Sequence, residues 1–146
     1  MAGFTLRKFN GIEEAWPHPI SSLTLSLGDA LELDIGATTW TVADSLTEYW
    51  QKKAVCLEAA TSSATVVLAQ DVLPGQLWEA ESANNSASAD DGDRMLLTDQ
   101  NTVNNTGTDN TSEEACFIQR YAVGTAADKR IVGEIVYGTG VNPDAA

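Results

Sequence analysis

The stretch LTLSLGDALELDI, residues 23–35, places Leu23, Leu25, Leu27, Leu31, Leu33 and Ile35 at odd positions. Side chains alternate across a β-strand, so this period of two predicts one apolar and one polar face. Strands are expected at 21–27 and 30–35, with Gly28-Asp29 as a tight turn or as a bulge in one bent strand. The polar face carries Glu32 and Asp34, and the question is whether it does chemistry or meets water.

Working outward, the same signals recur. TTWTVA 38–43, KAVCLEA 53–59, ATVVLAQ 64–70, QLWEAES 76–82 and RMLLTD 94–99 read as short strands. ACFIQRYAVG 115–124 and KRIVGEIVYG 129–138 complete the set. Turn residues separate them, with Pro74-Gly75 signalling a type II turn. DSLTEYWQKK admits a short helix through a capping box, Ser45 with Glu48, and a Glu48–Lys52 pair; otherwise it leads into the following strand. Residues 81–93 and 100–114 are rich in Asn, Thr, Ser and Asp, which predicts long exposed loops. About nine or ten short strands with polar loops make an all-β barrel or sandwich.

The organisation expected is an N-terminal arm at 1–19, a β domain at 20–138 and a C-terminal tail at 139–146. The arm sets Phe4, Phe9 and Trp16 among polar residues and ends in PHP, where prolines stiffen an extended path. It is expected to dock on its own body or on a neighbour, the alternative being a frayed terminus.

At 146 residues the chain is long enough for one domain with a real core. No apolar run reaches the length of a membrane span, and the opening residues do not read as a signal peptide, so a soluble chain is expected. A net charge of −13 with only eight Lys and Arg argues against a nucleic-acid groove. Cys56 and Cys116 each lie in an apolar run and are expected to be buried free thiols; no Cys/His spacing suggests zinc.

Chemistry finds little support. His18, the one histidine, lies between prolines without a nucleophile motif and is expected to pack or hydrogen-bond. Glu32/Asp34 and Glu79/Glu81 are paired carboxylates of the kind glycosidases use, but alternating acids on a solvated strand face give the same pattern. ADDGDR 89–94 lacks the ligand spacing of a calcium loop, GTGVNP lacks a P-loop lysine, and three glycosylation sequons follow from the Asn/Thr-rich composition. The expectation is no enzyme, no cofactor, no metal and no catalytic residue.

The phrases GDALELDIGATTW, KAVCLEAATSSATVVLAQDVLPGQLWEAE, GDRMLLTD followed by TVNNTGTD, and GTAADKRIVGEI occur in that order. In this the chain resembles the head decoration, or cement, proteins of tailed bacteriophages, over about residues 20–138. The resemblance implies a virion structural protein on the outer surface of the phage head, made in the host cytoplasm. It implies a homotrimer that bridges major capsid subunits, with neither nucleic acid nor membrane as partner. Phe4, Arg7, Lys8, Phe9 and Trp16 of the arm are the expected capsid contacts, the aromatics as anchors and the cations for orientation. The rival reading is a carbohydrate- or receptor-binding β module of a tail or fibre, with Trp40, Trp50 and Trp78 as a stacking platform.

Overall fold

The computed structural model describes residues 3–8, 15–106 and 111–144. The described residues form eleven strands in two sheets: β1 Thr5–Lys8, β2 Ala15–Pro19, β3 Ala30–Leu33, β4 Thr41–Val42, β5 Lys52–Cys56, β6 Val66–Asp71, β7 Leu77–Ser82, β8 Arg94–Asp99, β9 Thr102–Asn104, β10 Phe117–Val123 and β11 Arg130–Ile135. The larger sheet runs β1-β7-β11-β10-β8-β9, and a parallel pairing of β9 with β7 curls it closed. Closure leaves few free edges. The smaller sheet runs β2-β6-β5-β3-β4.

Two apolar clusters hold the sheets. The first joins Trp78, Met95, Leu97, Val103, Phe117 and Ile131 of the large sheet to Ala30 and Val55 of the small one. The second lies on the opposite face of the small sheet, where Leu31, Ala54, Cys56, Val67 and Ala69 meet Ile20, Leu25 and Trp40. The alternation along β3 and β5 therefore sends side chains into two different cores rather than to core and water.

The opening stretch is one strand and one turn. Only Ala30–Leu33 is a strand, while 21–27 forms a loop whose Leu25 pairs with Ala60 in an isolated bridge. Gly28, at φ 88°, makes the break. Its carbonyl accepts the Phe4 N–H at 2.8 Å and its own N–H donates to the Cys56 carbonyl at 2.9 Å. A Cβ there would lie 3.1 Å from the Phe4 nitrogen, so the crossing chain requires glycine twice over. Leu27 and Ile35, expected on the apolar face, are about 60 % exposed.

Three further segments take their form from strand pairing and turns. The described parts of the 1–19 arm dock on the protein's own body, one of the two alternatives: β1 pairs with β7 in the large sheet and β2 pairs along β6 in the small one. Residues 45–51 form turns and lead into β5, the second of the two readings, because Thr47 Oγ1 accepts the Asp44 N–H, Asp44 Oδ1 accepts the Leu46 N–H and Gln51 Oε1 accepts the Glu48 N–H. The 100–114 segment contributes β9, and Val103 is fully buried in the first core. The Pro74-Gly75 turn matches its signal, with Gly75 at φ 86°.

Candidate functional site

Of the five residues expected to form a common contact, the fold separates those it describes. Phe4 is 4 % exposed and packs against Phe117, with ring centroids 6.2 Å apart, so it anchors the protein's own core. Arg7, half-exposed, pairs with Glu79 on the large sheet, and Glu79 also receives Arg130. Lys8 closes β1, and Phe9 lies outside the described residues. Trp16 stands on the small sheet and lines a pocket.

That pocket measures about 320 Å³ and is bordered by Trp16, Trp40 and Tyr137 with Asp71, Thr38 and Lys52. Its geometry begins with His18, which is fully buried. The His18 Nδ1 lies 2.6 Å from the Trp16 carbonyl, which can only accept, so Nδ1 carries a proton. The Nε2 lies 2.6 Å from Asp71 Oδ1, and the other Asp71 oxygen accepts the Trp16 indole N–H at 2.8 Å. Trp16 stacks on the imidazole at 3.8 Å, and Trp40 meets both rings edge-on. The lone histidine thus packs and hydrogen-bonds. No serine or cysteine is bonded to it, since both ring nitrogens are engaged by oxygen acceptors.

The aromatic platform proposed from sequence does not form. Trp40, Trp50 and Trp78 are 5 %, 7 % and 1 % exposed and serve as core. At the pocket, Trp16 and Tyr137, at 38 % and 45 %, present accessible aromatic surface instead. Trp16 was legible as an outlier of the strand pattern; Tyr137 was hidden inside an apparent strand that ends at Ile135.

The paired carboxylates also divide. Glu32 is buried rather than solvated, and burial, followed by the Asp34 charge, pushes its carboxyl up to about 7. Asp34 is exposed and accepts a bond from Gln51. Opposite Glu32 in register stands Lys53, whose ammonium donates to the carbonyls of Tyr49, Gln51 and Val136, each at 2.9 Å. Burial brings Lys53 down to about 8. Glu79 and Glu81 face arginine and the β9 pairing, not a cleft. Cys56 and Cys116 are free and buried in different cores, and burial raises both thiols, to about 12 and about 11. ADDGDR is a tight turn tied down by Gln119, and no group of three or more metal-ligating side chains occurs among the described residues.

The Glu32 environment has a measurable consequence. Between about pH 4.5 and 7 the folded chain keeps a proton that the unfolded chain has lost, so stability from this group falls as pH rises through that window. Lys53 acts in the next window. From about pH 8 the folded chain has shed a proton the unfolded chain retains, and stability recovers until about pH 9, above which the two buried thiols keep protons that the unfolded chain loses and outweigh it. Urea midpoints taken across pH are expected to show a fall up to about pH 7; Glu32→Gln should lessen that fall, leaving the share of Glu113, whose carboxyl Asp144 and Glu48 also push up to about 7, and leaving the rise between about pH 8 and 9. An unchanged acid limb in the variant would show that Glu32 is not the group responsible.

A second surface lies on the other face of the small sheet. By register Leu57, Leu68 and Pro17 form one row, and Val66 and Pro19 the next. This is the face on which Val55 enters the first core, but beyond Val55 the large sheet no longer covers it: Leu57, Leu68 and Val66 are 43 %, 38 % and 49 % exposed. The two prolines lie on the edge strand β2, where they remove N–H donors and blunt edge pairing. No family model matches the chain, and no curated protein or solved structure matches it.

Proposed function

We propose that the chain is a virion structural protein that decorates the outer surface of a tailed-phage head, as a homotrimer bridging major capsid subunits. The observation that carries the reading is the uncovered apolar row of Leu57, Val66 and Leu68 beside Pro17 and Pro19. Contiguous apolar surface on a soluble domain marks an interaction site, and prolines on its edge direct that interaction to the face rather than to strand addition. The sequence resemblance supplies the kind of partner. Among the described side chains of the predicted contact set, Arg7 at the edge of the large sheet and Trp16 on the opposite face of the small sheet reach solvent, and neither lies in the row.

The test is decoration of heads lacking the protein. The double variant Leu57→Glu, Leu68→Glu sets two charges on exposed positions, so the fold should persist by circular dichroism. Occupancy should drop at least about tenfold, since each buried leucine contributes roughly 1.5–3 kcal/mol. Full decoration by the folded variant would show that this face is not the contact. Failure of the unsubstituted chain to bind any heads would remove the capsid reading itself.

A further inference from the structure

We infer that the pocket beside Trp16 is a binding site for one pyranose ring of a neutral glycan. The pocket belongs to the face of the small sheet opposite the apolar row: Trp16, Leu33, Lys52 and Asp71 share a register parity with the second core. A capsid and a glycan would therefore occupy different surfaces.

The ligand class follows from the walls. A pyranose presents an apolar C–H face and a rim of hydroxyl groups, and it is held by an aromatic plane with acceptors at its edge. Trp16 supplies the plane. One side of the indole rests on His18, and its N–H is tied to Asp71, so the ring is held by two independent contacts while 38 % of the residue remains exposed. Such a platform loses little freedom on binding. Tyr137 stands exposed across the pocket. Asp71 holds one donor on each oxygen, and a carboxylate has room for further O–H donors on both. A volume of about 320 Å³ falls at the lower end for ligand pockets, which suits a single ring.

Charge removes the alternatives. Aromatic walls with a carboxylate also suit a quaternary ammonium, but Lys52 lines this pocket and opposes a cation. A polyanion is opposed by the net charge of −13. A neutral polyol remains. Hydrolysis is not part of the inference, because among the described residues Asp71 alone lines the pocket with a carboxylate and glycoside cleavage requires a flanking pair.

Tryptophan fluorescence of the full chain, titrated with cellotetraose, maltotetraose and chitotetraose, tests the site, since Trp16 and Trp40 report on it directly. At least one sugar should give a saturable change with a Kd of about 1 mM or tighter, the range of a single stacked ring. Tyr137→Ala, at an exposed position, should weaken binding about tenfold, and Trp16→Phe, which keeps a ring over His18 but loses the N–H, should weaken it as well. The Leu57→Glu, Leu68→Glu variant should bind sugar unchanged. The inference is overturned if none of the three sugars gives a saturable change up to about 10 mM, ten times the expected Kd. It is equally overturned if choline saturates the signal and no sugar does, or if both pocket variants bind as tightly as the unsubstituted chain.

Discussion

Deleting residues 2–16 is expected to destabilise the whole protein, and not to release a dispensable tail. Phe4 is the reason. Truncating a buried phenylalanine to alanine typically costs about 3–5 kcal/mol, and here the entire residue leaves the first core together with its packing on Phe117. The deletion also removes β1 from the edge of β7, the Phe4–Gly28 and Gly3–Asn101 backbone bonds, and the Trp16 contacts that cover His18. The ion pair of Arg7 with Glu79 is half-exposed and adds little. Against a typical domain stability of about 5–15 kcal/mol, these losses take most of the total. Urea denaturation of the truncated chain should show a midpoint far below that of the intact chain, or no cooperative transition. An unchanged midpoint would mean that the first strand is a passenger. The consequence for function is direct: loss of head binding by this deletion would report unfolding, so the exposed pair Leu57 and Leu68 is the better probe of attachment.

The reason the strands of this segment were not legible lies in its residues. Period-two alternation needs several turns to be visible, and β1 and β2 are four and five residues long, with prolines at 17 and 19 that argue against a strand. Edge strands tolerate proline, and an edge cannot be recognised before the sheet is known. The longer apolar runs were legible: β5, β6, β7, β8, β10 and β11 all lie where alternation or β-branched content places them. The opening stretch shows the limit of the method. Its leucines alternate as a strand would, yet Gly28 turns the chain, because the crossing N-terminal backbone approaches too closely for any side chain there. β9 escaped for a different reason. A single valine among Asn and Thr carries no periodic signal, and the pairing of β9 with both β7 and β8 buries it.

The candidate sites were legible only as residue types. Sequence singles out Trp16 and His18 as odd, and names Glu32 with Asp34 as a pair. It does not show that Asp71, remote in the chain, completes the first group, nor that Lys53 stands opposite Glu32. Both are matters of register between strands, which short-range pattern does not fix.

Gly138→Val is the substitution expected to do most damage outside the apolar cores. After β11 the chain runs back along the turn at Trp50-Gln51, held by the Gly140 N–H donating to the Trp50 carbonyl at 2.8 Å and by the Val136 N–H donating to Cys116. A Cβ on Gly138 would overlap the carbonyl oxygens of Gln51 and Trp50, which belong to the backbone and have no rotamer to escape into. The strap must therefore lift away. Its departure withdraws the Val136 carbonyl from Lys53, leaving a buried ammonium with one fewer acceptor. Overpacking contributes about 1–3 kcal/mol and the lost charged hydrogen bond about 1.5–3 kcal/mol, for a total of about 2.5–6 kcal/mol. Because Tyr137 and Gly138 also form one wall of the aromatic pocket, the same substitution should abolish sugar binding in whatever fraction remains folded. Gly138→Ala should behave similarly with a smaller loss, since even one methyl meets those carbonyls. Urea midpoints for both variants, read beside the fluorescence titration, check the argument. A folded Gly138→Val protein of ordinary stability would show that the strap does not lie against residues 50–51 in solution.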